Sequence, residues 1–261
     1  MARYQITLAY DGTDYSGFQR QARNKKSRTV QGSVENALRQ IGWQGVSILA
    51  AGRTDAGVHA AGQVIAFDLD WGHGEDDLRA ALNANLPFDV AAQSVYQARP
   101  DFHPRYDALA RRYRYQIFCR LARDPLQERY AWRIWPAVDL ERLQAAVIDL
   151  TGVHDFTAFG TPPRPGGTTV RQVFEAFWKA QKDDFDGDRI TFEITANAFL
   201  FRMVRKLVGF QVQIGQGELE IDSLRQCLIS GSKELVKKIA PAHGLNLIEV
   251  VYPTAGSPED C

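Results

Sequence analysis

In Gly52-Arg53-Thr54-Asp55-Ala56-Gly57-Val58-His59 a single carboxylate stands between two glycines, an arginine and a histidine, directly after an apolar run at 46–51. A strand that runs into a glycine-rich turn presents its next polar side chain at the edge of a sheet, where binding and catalytic groups gather. An ionised carboxylate so placed can serve as a nucleophile or as a base. Asp and Gly are also ordinary turn residues, and an Asx-turn in which Asp55 bonds its own backbone is the competing reading.

Two further segments bring cations and rings together. At 109–118 the two-residue period of a strand places Leu109, Arg111, Tyr113, Tyr115 and Ile117 on one face and Arg112 and Arg114 on the other. Rings stack on nucleic-acid bases for about 1 to 3 kcal/mol each while guanidinium groups neutralise phosphates, and a strand with its tyrosines in the core fits the same pattern. At 199–213 a helical step of about 100° gathers Leu200, Met203, Val204, Leu207 and Val208 on one face, opposite Arg202, Arg205 and Lys206. That basic face looks either to solvent or into a cleft. A third basic run is Arg20, Arg23, Lys25, Lys26 and Arg28.

The elements that must hold these groups follow from periodicity. Residues 3–10 alternate with Tyr4, Ile6, Leu8 and Tyr10 on one side, and Val30, Val34, Ala37, Leu38 and Ile41 recur at helical spacing. Strands at 46–51 and 63–69 flank the Asp55 loop, Leu78, Ala81 and Leu82 mark a helix, and 90–96 is a strand. The order is β-α-β-β-α-β, which is ferredoxin-like. The second half repeats it: strand 109–118, helix 140–150, strands 170–180 and 189–196 with an Asp186-Gly187 turn signal, helix 199–213, short helical segments near Leu224 and Leu235, and strand 245–252.

We therefore expect an α+β protein of two ferredoxin-like halves sharing a continuous, mostly antiparallel sheet, with helices on one face and a cleft on the other. The expected halves are 1–105, carrying the Asp loop, and 106–252, carrying the tyrosine strand and the basic helix, with a disordered tail at 253–261.

Composition excludes several classes. With 261 residues, 45% hydrophobic and 24% charged, the chain is that of a soluble globular protein, and no run approaches the roughly 18 to 20 apolar residues of a membrane span. The first residues enter a strand pattern without the features of a signal peptide, so a cytoplasmic location is expected. Cys119, Cys227 and Cys261 are too few and too widely spaced for a disulfide framework or a metal site. No metal-ligand spacing, Gly-x-Ser-x-Gly elbow, Walker motif or dinucleotide glycine motif occurs. The 31 basic and 31 acidic residues give zero formal charge, yet the acids concentrate at 68–77 and 183–188, away from the basic runs. Such segregation can give a basic cleft on a neutral protein.

Tyr10-Asp11-Gly12-Thr13-Asp14-Tyr15-Ser16-Gly17-Phe18-Gln19-Arg20-Gln21, the Asp55 octapeptide, Arg111-Arg112-Tyr113-Arg114-Tyr115 and Met203-Val204-Arg205-Lys206 together resemble the tRNA pseudouridine synthase A family. Further similar pieces are Ala81-Leu82-Asn83-Ala84-Asn85-Leu86-Pro87, Asp101-Phe102-His103-Pro104-Arg105, His154-Asp155-Phe156 and Gly244-Leu245, so the likeness runs nearly end to end.

The resemblance implies that Asp55 is the catalytic aspartate, that Arg205 pairs with it, that Tyr113 packs on the target uracil, that Arg53 helps extrude the nucleotide and that Leu245 lines the uracil pocket. It implies a homodimer that binds tRNA and converts uridine to pseudouridine in the anticodon stem-loop, at positions 38–40, without cofactor or metal. Arg202 takes no role from it. Arg20, Arg23, Lys25 and Lys26 are expected to contact the RNA backbone, since stacking alone does not offset the few kcal/mol of flipping a base. The alternatives are a tRNA-binding or chaperone protein that does no chemistry, and a glycosidase-like hydrolase, which needs a second carboxyl such as Asp11 or Asp14.

Overall fold

The alternation at 3–10 buries Tyr4, Ile6, Leu8 and Tyr10 and leaves the residues between them half-buried, the signature of a strand with one face on the core. The computed structural model describes residues 1–21, 27–162, 164–182 and 188–253. It divides into two compact units, Met1–Leu109 with Leu247–Cys261, and Ala110–Asn246.

In the first unit β1 (Ala2–Tyr10), α1 (Val30–Gln40), β2 (Leu49–Ala50), β3 (His59–Leu69), α2 (Glu75–Asn85) and β4 (Val90–Gln97) follow the ferredoxin-like order. The strands lie β4-β1-β3 with β2 beside β3, all antiparallel. Val64, Ile65, Ala66 and Phe67 are all buried, so β3 is covered on both faces, as a run of consecutive apolar residues requires. Thr29 caps α1, its hydroxyl accepting from the Gly32 N–H at 3.2 Å.

The second unit holds β5 (Ala110–Cys119), β6 (Trp132–Ile134), α3 (Leu140–Val147), β7 (Gly152–Asp155), β8 (Val170–Lys182), β9 (Asp188–Ala196), α4 (Met203–Gly215) and α5 (Ser223–Ser230). Its strands lie β5-β9-β8-β7, antiparallel, with β6 parallel to β5. The last strand, β10 (Leu245–Val251), counted with the second half by element order, groups with the first unit from Leu247 onward and neighbours β3 there. The backbones are close: a Cβ on Gly62 would run into the Ile248 carbonyl. The chain is thus a mixed α+β protein with mostly antiparallel strands, ten strands and five α-helices being described.

Several elements differ from expectation for local reasons. The strand expected at 46–51 shrinks to β2, because Val46 is exposed and the Ile48 N–H is taken by the Glu35 carboxylate at 3.2 Å. The helix expected from 199 begins at Met203, because Arg202 adopts φ 60°, ψ 12°, and the Phe201 N–H donates to the Thr161 carbonyl at 3.0 Å. Near Leu235 no helix forms; α5 ends at Ser230 and is capped by Gly231, which takes φ 67°. Short β6 and β7 carry too few residues for a period to show. The Asp186-Gly187 turn and the tail from 254 lie outside the described residues.

Candidate active site

Asp55 is half-buried and Arg53 exposed, on the loop between β2 and β3. The loop is held through its backbone and Thr54. The Val58 N–H donates to the Asp55 carbonyl at 3.2 Å, closing a turn in which Gly57 takes φ 78°. From β3, Gln63 Nε2 donates to the Gly52 carbonyl at 3.1 Å.

The segment after β1 clamps the same loop. The Phe18 N–H donates to the Thr54 carbonyl at 3.1 Å and the Gly57 N–H to the Tyr15 carbonyl at 3.3 Å. The Tyr10 and Thr54 hydroxyls meet at 2.8 Å, and burial pushes the Tyr10 phenol up to about 12, so it stays protonated. Two glycines make the approach possible. A Cβ on Gly12 would run into the Val58 carbonyl, and one on Gly17, at φ 97°, would lie 3.0 Å from the Thr54 carbonyl oxygen.

The clamp is itself anchored. Asp89 accepts from Arg28 at 2.7 and 2.9 Å and from the Tyr15 hydroxyl at 2.7 Å, and the Arg28 guanidinium lies 4.2 Å over the Tyr15 ring. Burial and the Asp89 hydrogen bond push the Tyr15 phenol up to about 12. His59, buried at the start of β3, has Nδ1 3.1 Å from both the Gly12 N–H nitrogen and Asp11 Oδ1. These contacts are alternatives: bare, Nδ1 accepts from Gly12, and protonated, it donates to Asp11.

Arg20 Nε lies 3.0 Å from the fully buried Glu35 carboxylate, and Nη2 donates to the Val46 carbonyl at 3.0 Å. Its side chain remains 46% exposed. Arg23, Lys25 and Lys26 lie outside the described residues.

In the second unit Tyr113 on β5 is half-buried, its ring edge-on to Phe199 at 5.0 Å between centroids. Tyr115, on the same face, is fully buried, so the core reading of this strand holds for that tyrosine. Arg114 is drawn to Glu193 at 3.0 Å, which also binds Lys179 at 2.9 Å, and Arg111 donates to the Asn197 carbonyl at 2.8 Å. Arg205 is half-buried on α4, and its Nε donates to the Ala240 carbonyl at 2.8 Å. Leu245 is buried at the head of β10. Among the described residues no group of three or more His, Cys, Asp or Glu is placed to hold a metal ion, and no helix is long and apolar enough to cross a membrane.

A family model described as tRNA pseudouridine synthase matches residues 6–107 and 146–253. The chain belongs to the tRNA pseudouridine synthase family. It is 36% identical to tRNA pseudouridine synthase A of Limosilactobacillus fermentum over the whole of both chains. Identity is 40% to the protein of the same name from Chloroflexus aurantiacus, covering 97% of this chain and 90% of that one. It is 38% to that of Streptococcus equi subsp. equi, covering 97% and 99%. Among solved structures, a Cbf5-Nop10-Gar1 complex covers 80% of this chain and 45% of that one at 9% identity with a TM-score of 0.32, too low to speak for the fold.

A tRNA pseudouridine synthase is an isomerase, detaching uracil from its ribose and rejoining it through carbon. Of the residues singled out by sequence, Asp55, Arg53 and Arg20 belong to the first unit, and Tyr113, Arg205 and Leu245 to the second. What sequence reasoning missed for this synthase is the support beneath them: Tyr10, Gly12 and Gly17 under the Asp loop, and the chain at 240–244 beside Arg205. The glycines at 12 and 17, closely spaced ahead of a basic run, are the signal from which the clamp could have been suspected.

Proposed function

We propose that the chain isomerises uridine to pseudouridine in the anticodon stem-loop of tRNA, at positions 38–40, with Asp55 as the residue that acts on the substrate. Family membership and the full-length relatives named tRNA pseudouridine synthase A support the reaction. The observation that carries the residue assignment is the clamp: the loop bearing a half-buried Asp55 is held by the backbone of a second segment, with glycines where the two approach. Preorganisation of this kind is what a reacting carboxylate needs.

In this reading Arg205 pairs with Asp55, and a guanidinium beside a carboxylate favours its charged form, against the pull of burial. Tyr113 packs on the flipped uracil, Arg53 helps hold the nucleotide out, and Leu245 lines the pocket. Flipping costs a few kcal/mol and one stack returns about 1 to 3, so Arg20, Arg23, Lys25 and Lys26 supply phosphate contacts. One ionised carboxylate serves whether it attacks the sugar, attacks the uracil ring or acts as a base at the ribose. The isomerisation oxidises nothing and consumes no activated group, so the reading calls on neither metal nor cofactor. The enzyme works in the cytoplasm as a homodimer whose subunits together bind tRNA.

The test is Asp55→Asn, which keeps size and polarity but can act neither as nucleophile nor as base. Pseudouridine mapping in tRNA should show no product with the purified variant while tRNA binding persists. Substantial product from the variant would sink the assignment, and tRNA binding by the wild-type protein without product would favour the non-catalytic reading. Free uracil would point to hydrolysis.

A further inference from the structure

Tyr115 stands two residues from Tyr113 on the same face of β5, but its ring is enclosed. Its hydroxyl donates to the Pro241 carbonyl at 2.8 Å. Gly244 lies against the ring, where a Cβ would come within 2.5 Å of the ring carbon bearing the hydroxyl. The same short stretch of chain is bound at its other end to α4. The Ala240 N–H donates to the Arg205 carbonyl at 3.0 Å, and Arg205 Nε donates back to the Ala240 carbonyl at 2.8 Å. The close approach depends on Gly209 of α4, where a Cβ would lie 2.7 Å from the Lys238 carbonyl oxygen and 3.1 Å from the Ala240 nitrogen.

Residues 240–244 therefore form a strap tied to Arg205 by two hydrogen bonds and to Tyr115 by one. Burial pushes the Tyr115 phenol well above its ordinary range, against a smaller downward pull from Arg205, so the hydroxyl remains a donor at neutral pH. With Nε bound to the Ala240 carbonyl, a carboxylate that pairs bidentately with Arg205 does so through the Nη1/Nη2 edge. The direction of that edge depends on where the Ala240 carbonyl sits, and hence on the strap.

We infer that Tyr115 is a positioning residue for the reaction: by holding the Pro241 carbonyl it fixes the strap that orients the guanidinium of Arg205. This rests on the role proposed above for Arg205 in pairing with Asp55. Tyr115 touches neither substrate nor reacting atoms; it acts through Arg205.

Tyr115→Phe keeps the ring under Gly244 and removes only the tether. The expected result is a fall in kcat of roughly tenfold, the scale of a small misplacement of a catalytic group, with the KM for tRNA and the melting temperature nearly unchanged. Gly244→Ala, which pushes the strap off the same ring, should give the same split of kcat from KM. Wild-type kcat in Tyr115→Phe, or a loss that only tracks the folded fraction, would overturn the inference. Arg205→Ala, measured alongside, separates this from a failure of the underlying reading: an inactive Arg205→Ala beside a fully active Tyr115→Phe removes only the tether, whereas a fully active Arg205→Ala removes the role of Arg205 itself and the inference with it.

Discussion

A guanidinium whose Nε is already bound can meet a carboxylate squarely along only one edge, which makes Arg205 a poor candidate for conservative replacement. Arg205→Lys retains the charge but loses the planar fork and the bond to the Ala240 carbonyl. Its kcat should fall about 100-fold with tRNA affinity near wild type, on the view that the lost interaction orients a catalytic group; single-turnover assays showing wild-type rates would count against the pairing with Asp55. At this scale the candidate side chains could be singled out from sequence and the contacts that hold them could not. Asp55 declared itself as a lone carboxylate in a glycine-rich loop, whereas Tyr10 and Tyr115 read as ordinary core positions of alternating strands. What sets Tyr115 apart is a hydroxyl partner 126 residues away, and no local spacing reports a contact of that range.

The Asp55 loop and the segment at 10–18 behave as one structural element, because the bonds that shape the loop come largely from that segment. Gly12 is where the two press closest, and the nearest atoms a Cβ there would meet are all Val58 backbone, which cannot yield as the end of a flexible side chain does. Gly12→Ala should therefore cost about 1 to 3 kcal/mol of stability, as overpacking does, and should lower kcat more than it lowers tRNA affinity. Urea unfolding and product assays on the one variant check both; wild-type stability and turnover would show that the clamp does not hold the loop. The limits of periodicity are clearest at this scale. Helical spacing runs on through Leu200 and Met203, but α4 cannot start before the left-handed Arg202, whose conformation no hydrophobic pattern signals. Likewise 46–51 has the composition of a strand, and the exposure of Val46 and the carboxylate of Glu35 on α1, which takes the Ile48 N–H, explain why its first half is not one. The β-α-β-β-α-β order of the first unit was readable because its strands alternate and its helices carry an apolar stripe. The grouping of β10 from Leu247 with that unit was not, since it is a tertiary pairing made across the length of the chain.

For the molecule as a whole, 31 positive and 31 negative residues leave no net charge to draw in a polyanion, so affinity for tRNA must come from where the cations sit. The log of the binding constant should then fall steeply with log salt concentration despite the zero formal charge, each phosphate contact adding about 0.7 to 0.9 to the slope. Arg20 is an unsuitable probe of this. Neutralising it would strip a partner from the buried Glu35, which also holds the Gln31 amide at 2.8 Å and the Ile48 N–H, so a loss of affinity would be confounded with a loss of stability. Arg23, Lys25 and Lys26 make the cleaner set. Changing these three to Gln should weaken tRNA binding and reduce the salt slope by about 2 to 3, while the turnover of saturated enzyme stays near wild type, because phosphate contacts position the RNA without touching the reacting bond. Titrations at several salt concentrations decide the matter: an unchanged slope would place the phosphate contacts elsewhere, on cations such as Arg202 and Lys206 at the head of α4. An unchanged slope with wild-type affinity would remove Arg23, Lys25 and Lys26 from the RNA-binding surface altogether.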